Sequence, residues 1–416
     1  MKTIIGFGSK YWRFWVASTL SMAASNILQY ILSLYVLDIT GSAAIFAGML
    51  SVIMFPRLML TPFAGASADR YKRNRIMSFV LIGETIVLMG YYTVSEFFEV
   101  KVISIFILVV VLEIGEVFYG SAENAIIPDL VDKEYLQKAI AISKSDDGIV
   151  FVVSPMIGAL IYTKLDLSMA FLIVGMLDLL GALLLINIKT TFAENENKNE
   201  DKFIKEFLEG LQIIKEDSFL KRYIIALPLI DACFGATFSV CVCYLLRVCY
   251  QLDAYQYGLY NSVTASTTIW VPLLVIPFVN KVKPEKIFKN STRLIAIEIA
   301  FIGLFAFLGM RGYISIIVSV VIITFIDCLT IMEAIPMQIS GSILIQTNID
   351  KKYLGRVTAT ISMITSIAIG AGEFIFGVLN DSIGIYQTII IGAVGVAIGH
   401  AIFQEKASVR FDAKFL

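Results

Sequence analysis

The feature that most constrains this chain is a succession of twelve apolar runs, each set between short charged or turn-forming segments. They fall at about 12–37, 43–66, 76–95, 101–125, 147–163, 168–188, 221–246, 255–280, 287–309, 313–339, 356–379 and 383–403. About 20 apolar residues suffice to cross a bilayer as a helix. Lipid offers a backbone no hydrogen-bond partner, so such runs must be helical. Twelve spans take roughly 240 residues, which leaves the 416-residue chain short loops and no sizeable soluble domain. Composition agrees, with 58% hydrophobic and 16% charged residues against roughly 45–50% and about 25% in soluble domains. The expected fold is an all-α membrane protein of twelve transmembrane helices. No removable signal peptide is expected, because the N-terminus lacks a short apolar stretch ending in a small-residue cleavage site.

The basic residues test this division. With the N-terminus placed in the cytoplasm, 28 of the 33 Lys and Arg fall in segments on that side, and only Lys101, Lys164, Arg247 and Arg311 fall outside. Arg57 is the one left within a span. Positive charge marks cytoplasmic loops, so the count predicts a multi-pass protein with both termini cytoplasmic. The net charge of -1 gives no reason to expect a nucleic-acid partner. The five cysteines lie in or beside apolar runs without metal-ligand or CxxC spacing, and His400 is the single histidine. No metal site and no cofactor are expected.

The longest loop divides the spans six and six. The reading is an N-terminal six-helix bundle over 1–190, a linker over 191–220 and a C-terminal bundle over 221–416. Within the linker Phe203, Phe207, Leu208, Leu211 and Ile214 recur at helical spacing, as in an amphipathic helix on a membrane surface. The halves resemble each other. Asp132-Lys-Glu-Tyr-Leu136 follows the fourth run and Asp350-Lys-Lys-Tyr-Leu354 follows the tenth, an offset of 218 residues. The basic turns after the second and eighth runs are offset by about 211. A duplicated six-helix unit of this kind characterises a large class of secondary transporters.

The segment Gly65-Ala-Ser-Ala-Asp69-Arg70-Tyr-Lys-Arg73-Asn-Arg75 resembles the G-x-x-x-D-R-x-x-R-R/K loop between helices two and three of the major facilitator superfamily. An acid beside arginines at a helix end makes a charge cluster that can latch one conformational state. Ala125-Ile-Ile-Pro128-Asp129, Leu136-Gln-Lys-Ala139 and Tyr353-Leu-Gly355-Arg356-Val resemble the bacterial exporter branch that includes macrolide-efflux proteins and the enterobactin exporter. The resemblance runs over essentially the whole chain. It implies a transporter rather than an enzyme, in the bacterial cell membrane, acting as a monomer on a small amphiphilic substrate with protons as the coupling ion. Two departures stand out. Glu113 lies where drug–proton antiporters of the superfamily carry an arginine in helix four. Ser154-Pro155-Met-Ile-Gly158-Ala159 in the fifth span resembles the antiporter signature G-P-x-x-G-G with its outer glycines replaced.

Charged groups within spans carry the most functional information, because a charge at the bilayer centre costs about 2.5–3.5 kcal/mol. They are Arg57, Glu84, Glu113, Glu116, Glu123, Asp178, Asp231, Glu298, Asp327, Glu333 and Glu373. A carboxyl that is neutral when buried and ionised when wet is what proton coupling requires. The family fold implied by the resemblance places Arg57, Glu113, Glu116, Asp231, Asp327, Glu333 and Glu373 on cavity-lining helices, which makes them the proton-coupling candidates. It places Glu84, Asp178 and Glu298 on outer helices, where hydrogen bonding to a neighbour is the expected role. Glu113 and Glu116 share a helix face, so one of them is expected to hold a proton. Arg57 is the candidate partner of either, in a coupling pair or a static brace. Asn26, Gln29, Tyr30, Tyr119, Tyr244, Trp270 and Gln338 are candidates to line the substrate cavity, with packing the alternative for each aromatic.

Other classes lack residues. The chain has no HExxH, GxSxG or GxxxxGK[ST] pattern, so neither hydrolysis nor ATP-driven pumping is indicated. A channel needs no six-plus-six repeat. The expected activity is export of amphiphilic drug-like compounds by alternating access with proton antiport. Siderophore, peptide or lipid export, or facilitated uniport on the same fold, are the alternatives.

Overall fold

The structure is a computed structural model that describes residues 7–132, 134–188, 209, 211–215, 217–279, 282–349 and 353–404. Their elements are all helical. They run α1 (Ser9–Thr40), α2 (Ala43–Val52), α3 (Met54–Arg70), α4 (Arg73–Ser95), α5 (Val102–Leu130), α6 (Leu136–Lys164) and α7 (Leu167–Ile186). The second half holds α8 (Ser218–Ala236), α9 (Ala254–Val279), α10 (Pro284–Met310), α11 (Ile316–Asn348), α12 (Leu354–Ile383) and α13 (Ile385–Gln404). Beyond Ala236, α8 continues as wider π turns at Thr237–Val242 and Leu245–Cys249. The pair α2–α3 is one span interrupted at Ile53.

Ten of these helical rods are long and apolar enough to cross a membrane. The shorter apolar stretch of α6 (Gly148–Lys164) and the 26-residue α9 complete a set of twelve in the order read from the sequence. Local signals account for the boundaries. Asp217 caps α8 by accepting from the amides of Phe219 and Leu220, and Ser315 caps α11 through the amide of Val318. Pro284 opens α10, where its missing N–H is no loss. Gly41 and Gly384 take φ of +59° and +97° at the joins α1–α2 and α12–α13, a region open to glycine and strained for other residues. Large side chains such as Phe79, Ile86, Ile317 and Phe325 are exposed, as a lipid-facing surface requires.

The chain forms two compact units. The first comprises the described residues within Met1–Ile39, Val52–Lys202 and Asp253–Ser262, and the second those within Thr40–Ser51, Phe203–Leu252 and Val263–Leu416. Each unit therefore contains the opening turns of one span from the other sequence half: α2 packs in the second, and the start of α9 in the first. Within the first unit α4 packs on α7 and α5; within the second α10 packs on α13 and α11. Small residues permit these approaches. A Cβ at Gly175 of α7 would lie 3.2 Å from Met89 of α4, and one at Gly395 of α13 would lie 2.3 Å from Cys233 of α8. The glycine face Gly392, Gly395 and Gly399 is thus filled by α8.

Candidate functional site

In the first unit, Arg57 of α3 forks onto Glu113 of α5. Its Nε donates to one carboxylate oxygen and its Nη2 lies 3.4 Å from the other. The acid is buried, with 8% of its side chain exposed, while the guanidinium keeps 52%. The pair thus buries the carboxylate and leaves the guanidinium half-exposed. Glu116, one turn along, is half-buried. Glu84 of α4 fills the space left by Gly115, where a Cβ would meet its Oε1 at 2.7 Å. That carboxyl stands within electrostatic reach of Asp178, Glu116 and Glu113, and Asp178 of α7 is buried at 4% exposure. Glu84 and Asp178, expected on outer helices in contact with a neighbour, adjoin the Glu113–Glu116 face. The signal was Gly115, whose missing side chain makes room for one.

At one end of this unit, adjacent hydroxyls of α1 serve two more acids. Ser18 donates to Glu123 and Thr19 to Asp146. Tyr119 is 2% exposed and packs in the core with Tyr11, Met77 and Leu81. Asn26 donates to the carbonyl of Met22 at 2.8 Å, while Gln29 is exposed. Tyr30 lies on Gly158, where a Cβ would come within 2.9 Å of its ring. The same ring stacks on Tyr257 with centroids 6.0 Å apart, and its hydroxyl donates to the carbonyl of Ala254 at 3.3 Å. Gly258 lies against Ala159 and the carbonyl of Pro155, and Ser262 donates to the carbonyl of Val152 at 3.0 Å. The Pro155–Gly158 segment is thus the surface on which Tyr30 and the first turns of α9 pack.

The second unit partners its acids with hydroxyls. Ser239, on the π turn after α8, donates to Glu373 of α12 at 3.0 Å, and Ser291 of α10 donates to Glu333 of α11 at 2.7 Å. Glu298 of α10 faces Thr330 of α11, whose hydroxyl donates to the carbonyl of Ile326 at 2.8 Å. Asp327 is 5% exposed and Asp231 half-buried. Tyr244 is half-buried, whereas Trp270 and Gln338 are exposed. Sequence reasoning missed Asp381. At the end of α12 its carboxylate accepts from the amides of Ala43 and Ala44 at 3.0 Å each and from the Ser42 hydroxyl at 2.6 Å. It closes the N-terminus of α2, whose first amides have no helical partner.

The Gly65–Arg75 turn contributes an ion pair to α5. Arg73 donates to Asp129 of α5 at 2.7 Å and to the carbonyl of Ala68 at 3.2 Å, tying α3 to the end of α5. Arg70 and Arg75 are exposed, Asp69 is half-buried, and a Cβ at Gly65 would meet nothing within 4 Å. In the second unit Arg356, opening α12, pairs with Glu209 of the linker at 2.7 Å. The remaining linker positions Phe203, Phe207 and Leu208 lie outside the described residues. Among the described residues no group of three or more His, Cys, Asp or Glu could hold a metal ion.

Comparisons with known proteins bear on the family and the fold. Macrolide efflux protein A of Streptococcus pyogenes is 27% identical over 397 residues, covering 90% of each chain. The protein of the same name from Enterococcus faecalis is 27% identical over 352 residues, 80% of this chain and 99% of the relative. Among solved structures, the nucleoside transporter NupG superposes with a TM-score of 0.75 at 13% identity, covering 96% of this chain and 100% of that one. A bacterial homologue of the iron transporter ferroportin in its inward-facing state superposes with a TM-score of 0.70 at 15% identity, over 95% and 97%. At that identity the likeness shows the fold alone. The pattern of the Major Facilitator Superfamily matches residues 14–373, from the opening of α1 to Glu373, and the chain belongs to that family of membrane transporters.

Proposed function

We propose that this transporter exports bulky amphiphilic compounds of the macrolide type across the bacterial cell membrane by alternating access of two six-helix bundles, coupled to proton entry. The observation that carries the cargo class is the 27% identity to macrolide efflux protein A over 90% of both chains. Proton coupling is supported by the Arg57–Glu113 ion pair with Glu116, Glu84 and Asp178 beside it. A proton on Glu113 removes the charge that holds Arg57. Arg57 then turns to Glu116 on the same helix face, which moves α3 against α5. Asp231, Asp327, Glu333 and Glu373 form the second set of coupling candidates. Asn26, Gln29, Tyr30, Tyr119, Tyr244, Trp270 and Gln338 remain the cavity candidates, reached in the states where they are uncovered. Both termini face the cytoplasm in this reading, and a single chain suffices.

Expression in an efflux-deficient bacterium, scored for resistance to macrolides, dyes and lipophilic cations, tests the cargo class. Raised macrolide resistance that a protonophore abolishes is the expected result. Unchanged sensitivity to every compound, with the protein present in the membrane, overturns drug export and favours another cargo on the same fold. In vesicles, substrate movement indifferent to an imposed pH gradient would instead identify a uniporter.

A further inference from the structure

We propose that the turn between α3 and α4 carries a binding site for an anionic phospholipid, whose phosphate is held by Lys72, Arg75 and Arg70 and whose acyl chain lies on Phe79, Val80 and Phe118. A cavity of about 560 Å³ at this turn is lined by these cations and these apolar side chains. Arg73, the fourth cation of the turn, is half-buried and committed to Asp129. Lys72 and Arg75 are exposed, and among the described residues neither has a carboxylate partner. Lys72 and Arg75 thus present exposed positive charge where the chain passes from α3 into α4.

The apolar half of the site follows from helix geometry. Arg75 and Phe79 are one turn apart on one face of α4, with about 6 Å of rise between them. Lys72 lies another turn back. Along that face the cavity therefore changes from cationic to apolar in the same sequence as a phospholipid changes from phosphate to hydrocarbon. Phe79 is 71% exposed on a helix long and apolar enough to cross a membrane, so its ring contacts lipid. A soluble phosphate would use only the cations, and a neutral lipid only the rings. An anionic phospholipid uses both. Attraction of such lipids to basic segments is worth about fivefold in affinity for each cation. This site does not depend on what the transporter carries.

Native mass spectrometry of the purified protein titrated with phosphatidylglycerol or phosphatidylcholine tests the proposal. The expected result is preferential retention of phosphatidylglycerol, reduced roughly 30-fold in the Lys72→Gln/Arg75→Gln protein, from about fivefold per cation. The charge-keeping Lys72→Arg/Arg75→Lys protein retains it, and Lys101→Gln, on a different turn, is unaffected. Phe79→Ala/Phe118→Ala weakens retention while leaving the cations in place. Equal retention by wild type and the double glutamine variant overturns the site, as does loss in the charge-keeping variant. Displacement of the lipid by millimolar inorganic phosphate also overturns it, in favour of a soluble-anion site.

Discussion

The interior acids of the two sequence halves occupy related positions but have different partners. The same offset of 214 residues relates Glu84 to Glu298 and Glu113 to Asp327. In both halves the carboxyl on the third span leans on the fourth: Glu84 at Gly115 and Glu298 at Thr330. The difference lies in what answers them. Glu113 has a guanidinium, whereas Glu333 and Glu373 have hydroxyls. A hydroxyl donates to a carboxylate or accepts from a carboxylic acid, so it satisfies either protonation state. A guanidinium only donates, and holds a carboxylate alone. A proton on Glu113 would therefore break its bond to Arg57, whereas one on Glu333 or Glu373 would leave a hydrogen bond to the neighbouring hydroxyl.

The sharpest way to break this comparison is to neutralise one acid of each kind. Glu113→Gln is expected to reduce pH-gradient-driven efflux on the order of 10–100-fold, the worth of a charged hydrogen bond, while Glu373→Gln, beside the Ser239 hydroxyl, retains most of it. Proton-coupled uptake in inverted vesicles reads both. Equal losses would show that the asymmetry in partners is not functional.

A second comparison concerns the exchanged helix openings. Gly158 seats Tyr30 beside the start of α9, and Gly377 seats α2, where a Cβ would lie 2.7 Å from the Ala43 carbonyl. Alanine at either is expected to destabilise the protein by about 1–3 kcal/mol through overpacking, whereas Gly65→Ala, which meets nothing, should leave the melting temperature near that of wild type. Thermal unfolding in detergent distinguishes them. Next in size is Asp381→Ala, which strips the N-terminus of α2 and should cost about 0.5–2 kcal/mol. Asp381→Asn keeps an accepting oxygen and should recover much of that loss in the same measurement.

The smallest effect is expected at the ion pairs. Arg73–Asp129 has 18% of each side chain exposed, and Arg356–Glu209 has 35% and 38%. Exposed pairs contribute about 0–1 kcal/mol. Arg356→Gln should therefore move unfolding by less than Arg73→Gln, and salt should weaken the Arg356 pair first.

Legibility in the sequence followed chemistry that a single segment can express. The twelve spans were readable because lipid forces each to satisfy its own backbone bonds. The family was readable because the Gly65–Arg75 turn and the Ala125–Asp129 and Tyr353–Arg356 segments are local patterns. The list of interior acids was readable too, since charged residues stand out within apolar runs. Their grouping was not. Glu84 and Asp178 were read as belonging to outer helices, because a helix's place in a bundle says nothing of which way one side chain on it turns.

By itself the amino-acid order determined the succession of spans and the family to which the chain belongs, while helix bounds such as the start of α6 at Leu136, eleven residues before its apolar run, came from the structure. Only the tertiary structure decided that Arg57 meets Glu113 across 56 positions and that Asp381 closes a helix some 338 positions earlier. It also decided that each compact unit takes in the opening turns of a span from the other half. The physical reason is that hydropathy acts residue by residue along the chain. Pairing depends on how helices are rotated and spaced, which is set by close packing at a few small residues such as Gly115, Gly158 and Gly377.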